Sequence, residues 1–114
     1  MKLITKSQRE RMLANAIRKE EDCQFDPEPV VKLFTPDANA TWLLTELDPD
    51  DPDLAFGLCD LGLGSPELGS IRISEIAAVR GKFGLAAERD LYFTPDKTLS
   101  SYAEQARHDG FVRA

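Results

Sequence analysis

The residues best suited to chemistry in this chain are carboxylates. Glu46, Asp60, Glu67, Glu88 and Asp90 lie at or near the ends of apolar runs, where strand termini can gather acids into one cleft. Converging carboxylates of this kind serve as general acid and base, or hold a divalent cation for metal-assisted hydrolysis. Arg89, between Glu88 and Asp90, would favour the charged form of a neighbouring carboxylate. No spacing selects one pair, however, and strand-end acids more often form solvated rims or cap helices. A small metal-dependent hydrolase or nuclease is therefore the alternative reading, not the leading one.

Asp48-Pro49-Asp50-Asp51-Pro52-Asp53 is the densest acidic segment and invites a calcium reading. Counted from Asp48, an EF-hand loop needs glycine at its sixth position and a carboxylate at its twelfth, where this chain has Asp53 and Cys59. Two prolines also stiffen the segment against wrapping a cation. The single histidine, His108, stands with Arg107 just before Gly110, where it complements the negative end of a helix. One histidine makes neither a histidine-rich metal site nor a conventional triad. Cys23 sits among acids that disfavour a thiolate, and Cys59 sits in an apolar run, as a buried thiol would. The run Leu61-Gly62-Leu63-Gly64-Ser65-Pro66 lacks the lysine and following helix of a phosphate-cradling loop. No catalytic residue, metal or cofactor is assigned.

The acidic segment belongs to a wider pattern. Between Lys32 and Arg72 there is no cation, while Asp37, Glu46, Asp48, Asp50, Asp51, Asp53, Asp60 and Glu67 are all acidic. That stretch alone is more negative than the whole chain, whose net charge is -6. Such a field attracts cationic partners and repels phosphates. Direct nucleic-acid binding is disfavoured, because the basic residues are dispersed rather than gathered in a patch. The expected partner is a basic protein surface. The expected contacts are Glu46, Asp48, Asp50, Asp51 and Asp53, with Asp50, Asp51 and Asp53 most exposed beside their prolines. The whole of Asp48 to Asp53 is expected to be a solvent-exposed connection between strands.

The elements that position these acids follow from periodicity. Thr5-Lys6-Ser7-Gln8 has capping-box spacing and opens a helix to about Lys19, with Met12, Leu13, Ala16 and Ile17 as its apolar stripe. A polar linker to Pro29 precedes strands at Val30–Phe34, Thr41–Leu47 and Leu54–Leu61. Strict alternation sets Trp42 and Leu44 on one face of the second strand and Leu43 and Leu47 on the other. The third strand is uncharged on both faces until Asp60 and is expected to be covered on both, with Leu54, Phe56 and Leu58 on one of them. Gly57 there suggests close approach or a bulge. A strand near Glu67–Arg72, a short helix from Ile73 closed by Gly81, a strand at Glu88–Phe93 and a helix carrying Leu99, Tyr102, Ala103 and Ala106 complete the order. Phe34-Thr35-Pro36-Asp37 recurs as Phe93-Thr94-Pro95-Asp96, which reads as reused turn chemistry with aspartate bonding the backbone ahead.

The fold class is α+β: one mainly antiparallel sheet of about five strands, with an N-terminal, a short middle and a C-terminal helix packed on it. Residues 1–114 read as a single domain, with helix and linker over 1–29 and the sheet-forming core with its terminal helix over 30–109. No apolar run approaches the roughly 20 residues that span a bilayer. Met1–Lys6 turns polar too early for a signal peptide, so no membrane association and a cytoplasmic location are expected.

These blocks resemble a small bacterial family of unknown function. The likeness rests on Val30–Phe34, Thr41–Leu47, Asp51–Gly62, Pro66–Gly69, Glu88–Asp90 and the Tyr102-Ala103 helix, and runs from Val30 to Arg107. It implies a protein of plasmids, conjugative elements or phage-like islands, and carries no catalytic residue with it. One position departs from the pattern. Arg72 stands where the family tends to have a serine that would form a capping box with Glu75, leaving the first turn of the middle helix without its usual cap.

Overall fold

The capping box at Thr5 forms as its spacing predicts. In the computed structural model, which describes residues 2–114, Thr5 Oγ1 accepts from the Gln8 N–H (3.1 Å) and Gln8 Oε1 accepts from the Thr5 N–H (2.9 Å). Helix α1 follows over Lys6–Glu21. Met12 and Ala16 are buried, but Ile17 is 49% exposed and lies outside the stripe that spacing assigned to it.

Five strands then build one antiparallel sheet: β1 (Val31–Phe34), β2 (Thr41–Asp48), β3 (Asp51–Asp60), β4 (Glu67–Arg72) and β5 (Glu88–Arg89), in the order β4-β3-β2-β1-β5. Helix α2 (Ile73–Ala78) follows β4, and α3 (Leu99–Asp109) follows β5. On one face of the sheet Val31, Leu33, Trp42 and Leu44 pack with Met12 of α1 and Ile76 of α2. On the other, Leu43 and Leu58 meet Leu99, Tyr102, Ala103 and Ala106 of α3. The uncharged pattern of β3 is thereby explained, since apolar layers lie on both sides of it. The architecture is α+β.

The alternation in β2 breaks at Thr45. Leu47 packs with Trp42 and Leu44, not with Leu43 as strict period-two counting had it. The pairing slips between Leu44↔Gly57 and Glu46↔Phe56, so Thr45 stands opposite no residue of β3 in the ladder and the strand carries a β-bulge. A bulge frees a carbonyl from the ladder, and here α1 takes it up: Asn15 Nδ2 donates to Thr45 O (2.9 Å). Gly57 is required beside the bulge, because a Cβ there would lie 2.0 Å from Leu43 O.

Other boundaries shift for local reasons. β3 begins at Asp51 rather than Leu54. β5 stops at Arg89 instead of Phe93, because Asp90 Oδ1 accepts from the Tyr92 N–H (2.9 Å) and turns the chain. α2 ends at Ala78 with an extended C-cap at Val79, so Gly81 is not its cap. Gly81 instead leaves room for Asp37, whose Oδ2 accepts from the Phe83 (2.7 Å) and Leu85 (3.3 Å) N–H groups. Asp96, in the matching tetrapeptide, accepts from the Tyr102 hydroxyl (2.9 Å). Asp37 thus binds backbone more than forty residues on, and Asp96 binds the nearby Tyr102 hydroxyl and Lys97 ammonium, so neither side chain bonds the backbone just ahead. α3 ends as expected at Gly110, in the left-handed region (φ 81°).

Candidate functional site

The hairpin that carries the acids is less open than its composition implies. Its turn is only Pro49-Asp50: Asp48 already pairs with Asp51, and the Asp50 N–H donates to Asp48 Oδ1 (2.9 Å). The next rung is Leu47↔Ala55, so Pro52, Asp53 and Leu54 have no partner on β2 and arch away from it. Pro52 is tolerated there because it has no ladder bond on that side to lose. The arch carries Asp53 to the start of α2, where Ser74 donates its N–H to Oδ1 (3.0 Å) and its hydroxyl to Oδ2 (2.7 Å). Arg72 reaches back to Asp51 (2.9 Å) and Asp53 (3.7 Å).

Two expectations are corrected by this arrangement. Asp51 and Asp53 are half-buried and engaged, and of the three aspartates expected to be most exposed only Asp50 stands free. The first turn of α2 is not left without a cap either. Arg72 gives no side-chain cap, but Asp53 supplies one from another strand. α3 repeats the device: Asp26 accepts from the N–H (3.2 Å) and hydroxyl of Ser100, again the second residue of its helix. The Ser74 hydroxyl, followed by its N–H and the Arg72 guanidinium, holds the Asp53 carboxyl below the usual aspartate range, since burial opposes this only in part.

Glu46 and Asp48 remain, and the bulge gives them company. They line a groove of about 330 Å³ between the hairpin and the last turns of α1, with Lys19 and Glu20 opposite and Leu54 and Phe56 as apolar lining. The Asn15–Thr45 bond docks α1 here, and Lys19 follows one turn later on the same side of the helix. Burial pushes the Glu46 carboxyl above the usual range, moderated by the Lys19 charge and by the Thr45 hydroxyl. Lys19 is held by another bond, its ammonium donating to Phe25 O (2.8 Å). Lys19 and Glu20 were missed from sequence because they lie more than twenty residues before Glu46; only the helical phase of α1 could have hinted at them.

The remaining acids go elsewhere. Thr41↔Asp60 is the rung of the β2–β3 ladder farthest from Asp48↔Asp51. Asp60 is buried there and accepts from the Gly62 (2.8 Å) and Val112 (2.9 Å) N–H groups, pinning the chain after α3 to the sheet. It borders a cavity of about 670 Å³, larger than the groove at Glu46, beside Phe34, Phe111 and Lys32. Lys32 is occupied as well, with Ala114 O (2.7 Å) and Asp90 (3.4 Å) as partners. Glu67 starts β4 and Glu88 lies on β5, so the carboxylates of the hydrolase reading are spread over the sheet. Among the described residues no three His, Cys, Asp or Glu side chains form a metal-holding group. His108 is exposed in the last turn of α3, Cys23 is exposed, and burial pushes the half-buried Cys59 thiol up.

Fold and site together describe a small α+β protein with an acidic groove at one end of its sheet. Residues 3–113 match the family described as protein of unknown function, DUF2958, and the chain belongs to that family. No curated protein and no solved structure matches it. Among the described residues no helix is long and apolar enough to cross a membrane.

Proposed function

We propose that this is a non-enzymatic binding protein whose acidic groove receives a lysine or arginine side chain from a basic protein surface. The observation that carries this reading is the groove itself, in which Glu20, Glu46 and Asp48 outnumber the one lining cation, Lys19, and where burial raises the Glu46 carboxyl so that a further cation would favour its charged form. Leu54 and Phe56 offer apolar surface to the stem of such a side chain, and Asp48 and Glu20 offer charge to its head. The larger cavity near Asp60 is a poorer candidate, because both of its charged groups already have partners. A bacterial mobile-element setting, which the family likeness implies, suggests that the basic surface belongs to a host nucleic-acid-binding or defence protein, blocked when its cationic groove is occupied.

The test uses a capped peptide of alternating arginine and alanine as the basic probe. Glu46→Gln, Asp48→Asn and Asp50→Asn combined should slow its association and flatten its salt dependence, while Asp51 and Asp53 are spared because they hold α2. Binding that ignores both salt and these substitutions would overturn the proposal.

A further inference from the structure

The two edges of the sheet are unequal. β5, at one edge, is two residues long, and the chain turns away at Asp90. β4, at the other, runs for six residues with no interior proline or lysine and pairs with β3 through an unbroken register. Among the described residues its backbone makes no hydrogen bond beyond β3 and the helix it leads into. A strand of this length leaves alternate N–H and C=O groups facing outward, and proteins usually blunt such an edge with charge, proline, a bulge or a cover. β4 has none of these along its middle, and nothing lies within 4 Å of where a Cβ on Gly69 would stand.

Beside the start of this edge lies a cleft of about 500 Å³ between β4 and the end of α3, lined by Ser65, Pro66, Glu67, Leu68 and Arg107. Leu68, which pairs with Leu58 on the α3 face, is 40% exposed there. Asp109 is taken by His108 and Arg113, and among the described residues the Arg107 guanidinium has neither an ion pair nor a hydrogen bond. The geometry points to β4 as a strand-addition site for an extended segment of a partner protein, whose backbone completes the sheet and whose carboxylate side chain enters the cleft to meet Arg107. A second copy of the chain fits less well. Two β4 strands related by a two-fold axis pair only residues of one face, so Glu67, on the α1 face, cannot meet Arg72, on the α3 face.

The test titrates isotope-labelled protein with short capped peptides of alternating valine and threonine, bearing one glutamate near either end. One of the two should shift the amide signals of residues 67–72 and protect the outward ones from exchange. Arg107→Gln should weaken that binding about tenfold, as expected for loss of a charge-assisted hydrogen bond. The same peptide methylated on alternate backbone nitrogens should not bind. The inference is overturned by no binding at millimolar peptide, by equal binding of the methylated peptide, by an Arg107→Gln variant that binds as well as wild type, or by shifts confined elsewhere. It is equally overturned if the protein alone is a dimer with its β4 amides already protected.

Discussion

Gly57 and Gly69 face each other across one rung of the β3–β4 ladder, and the structure predicts opposite fates for the same substitution. At Gly57 an added Cβ would lie 2.0 Å from Leu43 O and 2.8 Å from Leu44 Cα, both backbone atoms of β2. Ordinary carbon–oxygen contact begins near 3.3 Å, so β2 and β3 would have to part by more than about 1 Å. Overpacking of this kind costs about 1–3 kcal/mol, and each ladder bond weakened beside the bulge adds about 1 kcal/mol. Gly57→Ala should therefore cost at least about 3 kcal/mol, or about 12 °C in Tm. That is a large share of the roughly 6–17 kcal/mol expected for 114 residues. At Gly69 nothing lies within 4 Å of the new methyl, so Gly69→Ala should be neutral or stabilise by about 0.4–1 kcal/mol through the unfolded chain. Urea denaturation of the two variants with a shared slope measures both. A cost below about 1 kcal/mol at Gly57, or equal costs at both sites, would refute the bulge as the reason for the glycine.

Asn15→Ala should cost about 1–3 kcal/mol by leaving the Thr45 carbonyl without its donor, and should also shift the Glu46 signals, since the same bond docks α1 against the groove. Denaturation together with NMR checks both, and a destabilised variant with unmoved Glu46 would separate the bulge from the groove. Asp53, whose carboxyl is held low by Ser74 and Arg72, contributes stability that is present above the ordinary aspartate pKa and lost as pH falls through its depressed value. Asp53→Asn should therefore lower Tm at neutral pH, with the gap to wild type closing in acid. A gap that persists unchanged in acid would show that shape, not charge, makes the cap.

Much of this architecture is legible in local pattern. The Thr5–Gln8 box, the uncharged faces of β3, the Leu99–Ala106 stripe and Gly110 each depend on residues a few positions apart, and each appears where spacing puts it. What fails is long-range. A bulge adds one residue without altering composition, so Thr45 inverts the face of Leu47 while the sequence still reads as alternating. The caps of α2 and α3 come from Asp53 and Asp26, more than twenty residues before the serines they hold, and no local motif records them. The candidate site divides the same way. Glu46 and Asp48 were visible as acids, but the pairing of Asp51 and Asp53 with Arg72 required the β3–β4 register, and the approach of Lys19 and Glu20 required the docking of α1.

On the proposed reading, the groove around Glu46 receives a cation from a partner. The most direct measurement is the titration of its carboxyl carbon by NMR, with and without the alternating arginine–alanine peptide. Free protein should titrate above the ordinary glutamate value, as burial demands, and saturating peptide should lower the midpoint, because a cation in the groove favours the ionised form. By linkage, the peptide should bind more tightly as pH rises through the same range. A Glu46 midpoint that stays in place while the peptide is bound would contradict the account.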